Sequence, residues 1–298
     1  MVRRATFPVR RPPVPHSVEP PASRPRTGQH YDTEWARHPV SRAARAALVE
    51  TLVRPVVTGL ARPTRTGLDR LEGLDEEPVI FAANHHSHVD TPLLVTSIPL
   101  RWRNDLVVGA AADYFFGTRV TAATSALVIG AIPIERARIG RRSADLAAQL
   151  VHEGWSLLIY PEGGRSKDGW GQPFRGGAAY LALRCDVPVV PVHVSGTSQI
   201  LKKGRLLPRP NPSTVNFGSP LVAIDGERSR AFATRIELAV AALGDETETD
   251  WWQARRRAHA GDTPPLTGPQ ASSWRRAWAR GSQTPSARRR QRRWPDLG

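Results

Sequence analysis

A single cysteine, Cys185, stands in the 298 residues, so no intramolecular disulfide can form and a cysteine-built zinc framework is excluded. Such a chain suits a reducing compartment. No apolar run reaches the roughly 18 residues that a membrane-spanning helix needs, and none is predicted. Arg3 and Arg4 are followed by Pro12, Pro13 and Pro15 where a secretory signal would carry its apolar stretch, so no such signal is expected. The strand–turn–helix motif G-x-S-x-G is absent as well. Lysine is scarce among the 42 cations, as a GC-rich coding bias alone would produce.

Charge of one sign is abundant, but only at the ends. Residues 1–30 carry six Arg against Glu19, and residues 251–298 carry eleven Arg against Asp262 and Asp296. The net charge of +15 therefore leaves residues 31–250 almost neutral. Residues 1–35 are rich in Pro and Arg with no apolar period and read as a disordered tail. Residues 246–298 read as a second disordered tail, with Arg runs at 255–257 and 288–290 and five of the nine Trp. Trp with Arg suits a lipid headgroup layer, and it equally suits stacking on single-stranded nucleic acid. The tail composition alone does not separate the two.

Between the tails, residues 36–245 alternate apolar strand patterns with helical ones. Strands are expected at Pro78–Ala83, Leu106–Ala110, Val128–Ile134, Ser156–Tyr160, Val187–Val194 and Thr214–Phe217. Helices are expected at Ser143–His152, Gly176–Arg184 and Arg228–Leu243. An earlier helix should begin at Ser41 as N-cap and kink or end at Pro55. Its Leu48, Leu52 and Val56 repeat every four residues, which fits a helix packed on the domain or one lying on a bilayer. The alternation predicts a single α/β domain whose sheet is mostly parallel or mixed and flanked by helices.

The densest chemistry is Asn84-His85-His86-Ser87-His88-Val89-Asp90, just after a predicted buried strand. Reactive groups collect at the carboxyl ends of strands in open α/β sheets. A spacing of five lets the chain turn and bring the Asp90 carboxylate to the His85 imidazole. A carboxylate on one ring nitrogen fixes the tautomer and leaves the other nitrogen free to take a proton. Three histidines and a carboxylate could equally ligate a metal, and these residues alone favour that. Gly130–Arg136 closes a second strand with a guanidinium, and Tyr160–Ser166 follows a third with Arg165 on a glycine-containing loop. Val187–Val192 is an apolar run broken twice by Pro. Guanidinium forks on loops after buried strands suit phosphate oxygens.

The order N-H-x-S-x-x-D, G-x-I-P-I-x-R, P-E-G-x-R-S, V-P-V-V-P-V resembles the four blocks of the glycerolipid acyltransferases, nearest the 1-acylglycerol-3-phosphate type. It runs from about Val79 to Phe217, and Phe174-Arg175-Gly176-Gly177 resembles the continuation after the third block. The resemblance implies a glycerol-3-phosphate acyltransferase-like fold. It implies that His85 is the general base and Asp90 its orienting partner. Arg136, Glu162, Gly163, Gly164 and Arg165 would hold the acceptor's phosphate and glycerol, and Pro188–Val192 would help form the acyl pocket. Gly164 stands where the family usually has Thr, and Glu135 where Asp is common, which bears on the acceptor's identity.

The implied reaction moves a fatty acyl group from acyl-CoA or acyl carrier protein onto 1-acylglycerol 3-phosphate, forming phosphatidic acid. The base acts directly, because Cys185 is remote from the motifs and no nucleophile elbow exists. No metal or other cofactor is expected beyond the acyl donor. The expected partners are a lysophospholipid acceptor and an anionic membrane surface, with peripheral attachment at a cytoplasmic face. Alternative acceptors are another lysophospholipid, glycerol 3-phosphate or a lyso-amino-acid lipid. Two other classes remain: a metal-dependent hydrolase on His85, His86, His88 and Asp90, and a nucleic-acid binder using the tails. The near-neutral centre, without a nucleic-acid motif, counts against the last, so no specific nucleic acid is expected.

Overall fold

The computed structural model describes residues 28, 31–74, 77–134, 141–166, 168–201 and 207–282. Its strands are β1 (Pro63–Thr66), β2 (Ile80–Ala83), β3 (Leu106–Ala111), β4 (Ala131–Ile134), β5 (Ser156–Ile159), β6 (Val189–Ser195) and β7 (Ser213–Phe217). They make one seven-stranded sheet in the order β1-β7-β6-β2-β5-β3-β4. Every neighbouring pair is parallel except β6 with β7. The α/β architecture with a mixed sheet is therefore as expected. The helices are α1 (Pro39–Leu48), α2 (Arg54–Ala61), α3 (Asp90–Ser97), α4 (Leu100–Arg103), α5 (Ala112–Phe115) and α6 (Arg119–Ile129). They continue as α7 (Arg141–His152), α8 (Gly177–Cys185), α9 (Thr197–Ile200), α10 (Ser229–Glu248), α11 (Trp251–Ala260) and α12 (Ser273–Ser282). None is long and apolar enough to cross a membrane.

Strand periodicity divides the apolar residues between two cores. Phe81, Val108, Leu158, Val190 and Val192 face one side, where α2 and α3 supply Val57, Ala61, Leu93 and Leu94. Ile80, Val107, Leu157 and Val189 face the other, against Leu150 of α7, Leu181 of α8 and Phe232 and Ile236 of α10. Strands covered on both faces read as continuous apolar runs, which is why these were visible in sequence. Pro133 sits on the edge strand β4, where a missing N–H breaks no ladder. Pro191 lies inside β6, yet its carbonyl accepts from Gly218 beyond the end of β7. Its absent N–H faces that same side, so the ladder with β2 is intact.

Several expectations are corrected. The N-terminal helix begins at Pro39, and Pro55 does not end it: a π turn at Val49–Val53 carries α1 into α2. The wider turn accommodates a residue that cannot donate. Val49 and Val57 face the core, while Leu52 and Val56 are 57% and 50% exposed, against the packed reading of that stripe and not against the bilayer one. The strand expected over Val128–Ile134 is divided, because α6 runs to Ile129 and Gly130 turns the chain into β4. Neither tail is disordered throughout. Gly28 and Thr33 are buried, and α11 and α12 are helical where a disordered stretch was expected. Ala254 of α11 is buried, and Arg257 pairs with Asp245 of α10 at 2.6 Å. Residues 1–27 and 283–298 lie outside the described residues.

Candidate active site

β2 ends at Ala83, and the next residue fixes how the chain leaves the sheet. Asn84 is fully buried; its side-chain amide donates to the Val194 carbonyl at 2.8 Å and its oxygen accepts from the Val194 N–H at 2.7 Å. That two-point clamp on β6 holds the chain as it leaves the carboxyl end of β2, where His85 follows. The chain then turns and starts α3 with Asp90, whose carboxylate sits favourably at a helix N-terminus. Asp90 Oδ2 lies 2.9 Å from His85 Nδ1 and accepts the backbone N–H groups of His86 and Ser87 at 2.7 and 2.8 Å. Burial pushes the Asp90 carboxyl up, but the bond and charge of His85 and the Ser87 amide outweigh it, so the net shift is downward. The carboxylate is thus ionised beside the ring, Nδ1 is the protonated nitrogen, and Nε2 is left as an acceptor.

Tyr160, at the end of β5, stacks on the His85 ring with centroids 4.1 Å apart and planes 20° apart. Its hydroxyl is 3.0 Å from Thr91 Oγ1. Burial, then the Asp90 charge, raises the phenol well above its ordinary range, so it remains neutral and positions the ring. The main chain of His85 is held as firmly. Its N–H donates to Glu162 Oε1 at 2.8 Å, and its carbonyl accepts from the Ser166 N–H at 2.9 Å.

Glu162 does not face the cavity. It is 1% exposed, and its second oxygen accepts the Gln172 N–H at 2.9 Å, so it ties the start and end of its own loop to His85. Burial raises its carboxyl to about 7. Gly163, Gly164 and Arg165 line a cavity of about 510 Å³ that His85 also lines. Gly163 has a φ of +72°, and a Cβ there would stand 3.1 Å from the Arg175 guanidinium. The glycine is therefore required both by backbone and by the packing of Arg175, a second cation lining the cavity. Gly164 has open space where a side chain would be. Arg136 lies outside the described residues.

The apolar part of the lining comes from different elements: Val108, Gly109 and Ala110 of β3, Ile129 of α6, Ile134 of β4 and Ile159 of β5. Pro188–Val192, expected in the pocket, is instead sheet interior, with Val189, Val190 and Val192 fully buried in the two cores. At the rim, His88 stacks on Tyr114 with centroids 5.2 Å apart, and its Nε2 is 3.1 Å from the Tyr114 hydroxyl. His85, His86 and His88 all line the cavity, but His85 is bound to Asp90 and His88 to Tyr114. Among the described residues no group of three or more His, Cys, Asp or Glu is arranged to hold a metal ion. Gln172 was not singled out from sequence, and Tyr160 and Arg175 appeared there only as members of motifs, with no role of their own.

Residues 62–195 match the Acyltransferase family model. The 1-acyl-sn-glycerol-3-phosphate acyltransferase of Cocos nucifera is 38% identical over 86 residues, covering 29% of this chain and 28% of that protein. The beta enzyme of the same name from Homo sapiens is 31% identical over 135 residues, 42% of this chain and 44% of that one. The chain thus spans less than half the length of these curated relatives. The crystal structure of the 1-acyl-sn-glycerophosphate acyltransferase of Thermotoga maritima superposes with a TM-score of 0.55 at 21% identity, over 73% of this chain and 84% of that one. At that identity the likeness establishes the fold.

Proposed function

We propose that this chain, whose residues 62–195 match the Acyltransferase family model, is an O-acyltransferase making phosphatidic acid from 1-acylglycerol 3-phosphate. One observation carries the reading. His85, paired with the buried Asp90, lines a cavity whose other lining residues include both apolar side chains and the cations Arg165 and Arg175. An acyl chain fits the apolar lining and a phosphate dianion the guanidinium groups. The relatives are named for the same acceptor.

In this reading His85 Nε2 takes the proton of the acceptor hydroxyl as its oxygen attacks the thioester carbonyl. Asp90 stabilises the imidazolium that forms. The tetrahedral intermediate collapses with loss of the thiolate, which receives the proton from His85; one C–O bond has formed and one C–S bond has broken. Acyl-CoA and acyl carrier protein both present this thioester, and either fits the chemistry. Arg165 and Arg175 hold the acceptor's phosphate, joined by the exposed loop backbone at Gly163 and Gly164. Arg136 is assigned the same role on its motif alone. Glu162 acts from behind, as the brace between the loop and His85. Because the acceptor is a lipid, we place the chain at a membrane surface as a peripheral protein, consistent with the exposed Leu52 and Val56.

The test supplies purified chain with labelled 1-acylglycerol 3-phosphate and, in separate reactions, oleoyl-CoA or oleoyl carrier protein. Labelled phosphatidic acid with at least one donor is expected. Product with neither donor, while another lysophospholipid is acylated, would overturn the acceptor assignment.

A further inference from the structure

The loop that brings Arg165, Ser166 and Gln172 to the cavity is held on its far side by the C-terminal segment. The Gly171 N–H donates to the Leu266 carbonyl at 2.8 Å. The Trp170 indole N–H donates to the Arg276 carbonyl at 3.1 Å, and the Arg276 Nε donates to Asp168 Oδ2 at 2.7 Å. The Arg276 Nη1 also donates to the Pro269 carbonyl at 2.9 Å, closing the turn before α12. Gly268 lies flat on the Trp170 ring: a Cβ there would come within 2.2 Å of the indole. The position of α12 against the loop that lines the cavity is therefore built, through backbone and side chain together.

What α12 turns outward is unusual for a soluble surface. Trp274 and Trp278 are four residues apart, hence on one face, and are 66% and 73% exposed. Arg275 stands over the Trp274 ring at 5.2 Å. Trp251 and Trp252 of α11 are also exposed, with Arg255 over Trp251 at 5.6 Å. Each exposed indole leaves a large apolar body in water, and it is stabilised where one side is apolar and the other wet. The eleven Arg against two Asp in residues 251–298 select a surface that is negatively charged.

We propose that α12 is the face by which the chain docks on an anionic lipid bilayer, with Trp274 and Trp278 seated at headgroup level and the neighbouring Arg side chains on lipid phosphates. The proposal rests on the acyltransferase reading for one element, a lipid acceptor that must reach the cavity beside α12. Docking here brings the loop that lines the cavity to the leaflet that holds the acceptor. The tryptophans contribute apolar insertion and the arginines charge attraction that salt weakens.

The test is flotation of the full-length chain with phosphatidylcholine vesicles, with and without phosphatidylglycerol, beside the double variant Trp274→Ala/Trp278→Ala. Both side chains are exposed, so the variant should fold; its melting temperature checks this. Wild type should float with the phosphatidylglycerol vesicles, less so at high salt, and the double variant should partition at least about tenfold more weakly. Arg275→Glu should weaken recovery on anionic vesicles alone. Acylation of vesicle-borne acceptor should fall with the double variant, while a short-chain acceptor dissolved as monomer should react as before. Equal recovery of wild type and double variant would overturn the proposal. So would unchanged recovery together with a wild-type dimer that the double variant lacks in sedimentation, which would make the face a contact between copies. Lost recovery without product from any acceptor would uphold the docking face and count against the acyltransferase reading instead.

Discussion

Replacing Asp90 by Asn keeps the shape of a wholly buried side chain and removes its charge. The amide oxygen can still take the His86 and Ser87 N–H groups that Asp90 Oδ2 accepts at 2.7 and 2.8 Å, so the turn should survive. What is lost is the attraction between the carboxylate and the imidazolium formed when His85 takes a proton. Two unit charges about 4 Å apart interact by about 4 kcal/mol at an effective dielectric constant of about 20. With tenfold in rate for every ~1.4 kcal/mol, kcat should fall about 10³-fold. Because the ground-state contacts of both substrates are elsewhere, their KM values should move far less than kcat. Initial rates at saturating donor and acceptor measure this, with the circular dichroism melt as a control for folding. A kcat within about tenfold of wild type in a folded Asp90→Asn variant would refute the argument, because the carboxylate would then not be stabilising the charge on His85.

Arg165→Ala and Arg175→Ala should each raise the acceptor KM by roughly 10- to 100-fold, the loss of one charge-assisted hydrogen bond, with the donor KM unchanged. Unchanged acceptor KM in both would remove the phosphate site from this loop. A Cβ at Gly109 would stand 2.6 Å from Ile134 Cδ1, so Gly109→Ala should push Ile134 into the cavity. Acyl-chain preference should then shift to shorter donors, by about fourfold per methylene, read from competition between donors of different length. Glu162 is raised from 4.5 to about 7, so its stabilising contribution is present below the lower value and is lost as pH rises through the higher one. Urea unfolding should show the stability gap between wild type and Glu162→Gln moving in the variant's favour by about 3 kcal/mol across that window. A gap independent of pH would contradict the shift.

Much of the sheet was legible because β2, β5 and β6 are covered on both faces and read as plain apolar runs. The approach of Asp90 to His85 was legible too, since a five-residue spacing leaves the chain few ways to turn. What remained hidden depends on long-range contacts. β1 carries Pro63 and polar residues and is a strand only because β7 pairs with it. The stretch Arg119–Ile129 ends in the apolar residues of a strand, yet a Thr118 cap and the end at Gly130 make it a helix. Glu162 reads as a ligand-facing acid, and nothing local reveals that two backbone amides claim both of its oxygens. The C-terminal composition resembles a solvated tail, and its order comes from Trp170 and Asp168 about a hundred residues away.

The central claim is that His85 is the base for acyl transfer to a lysophospholipid hydroxyl. The most direct measurement compares phosphatidic acid formation by wild type and His85→Ala, with labelled 1-acylglycerol 3-phosphate and oleoyl thioester, alongside acceptor binding by both proteins. The account predicts product from wild type, a loss of roughly 10²- to 10⁴-fold in the variant, and nearly equal acceptor affinity. Product formed equally well by both proteins would contradict it.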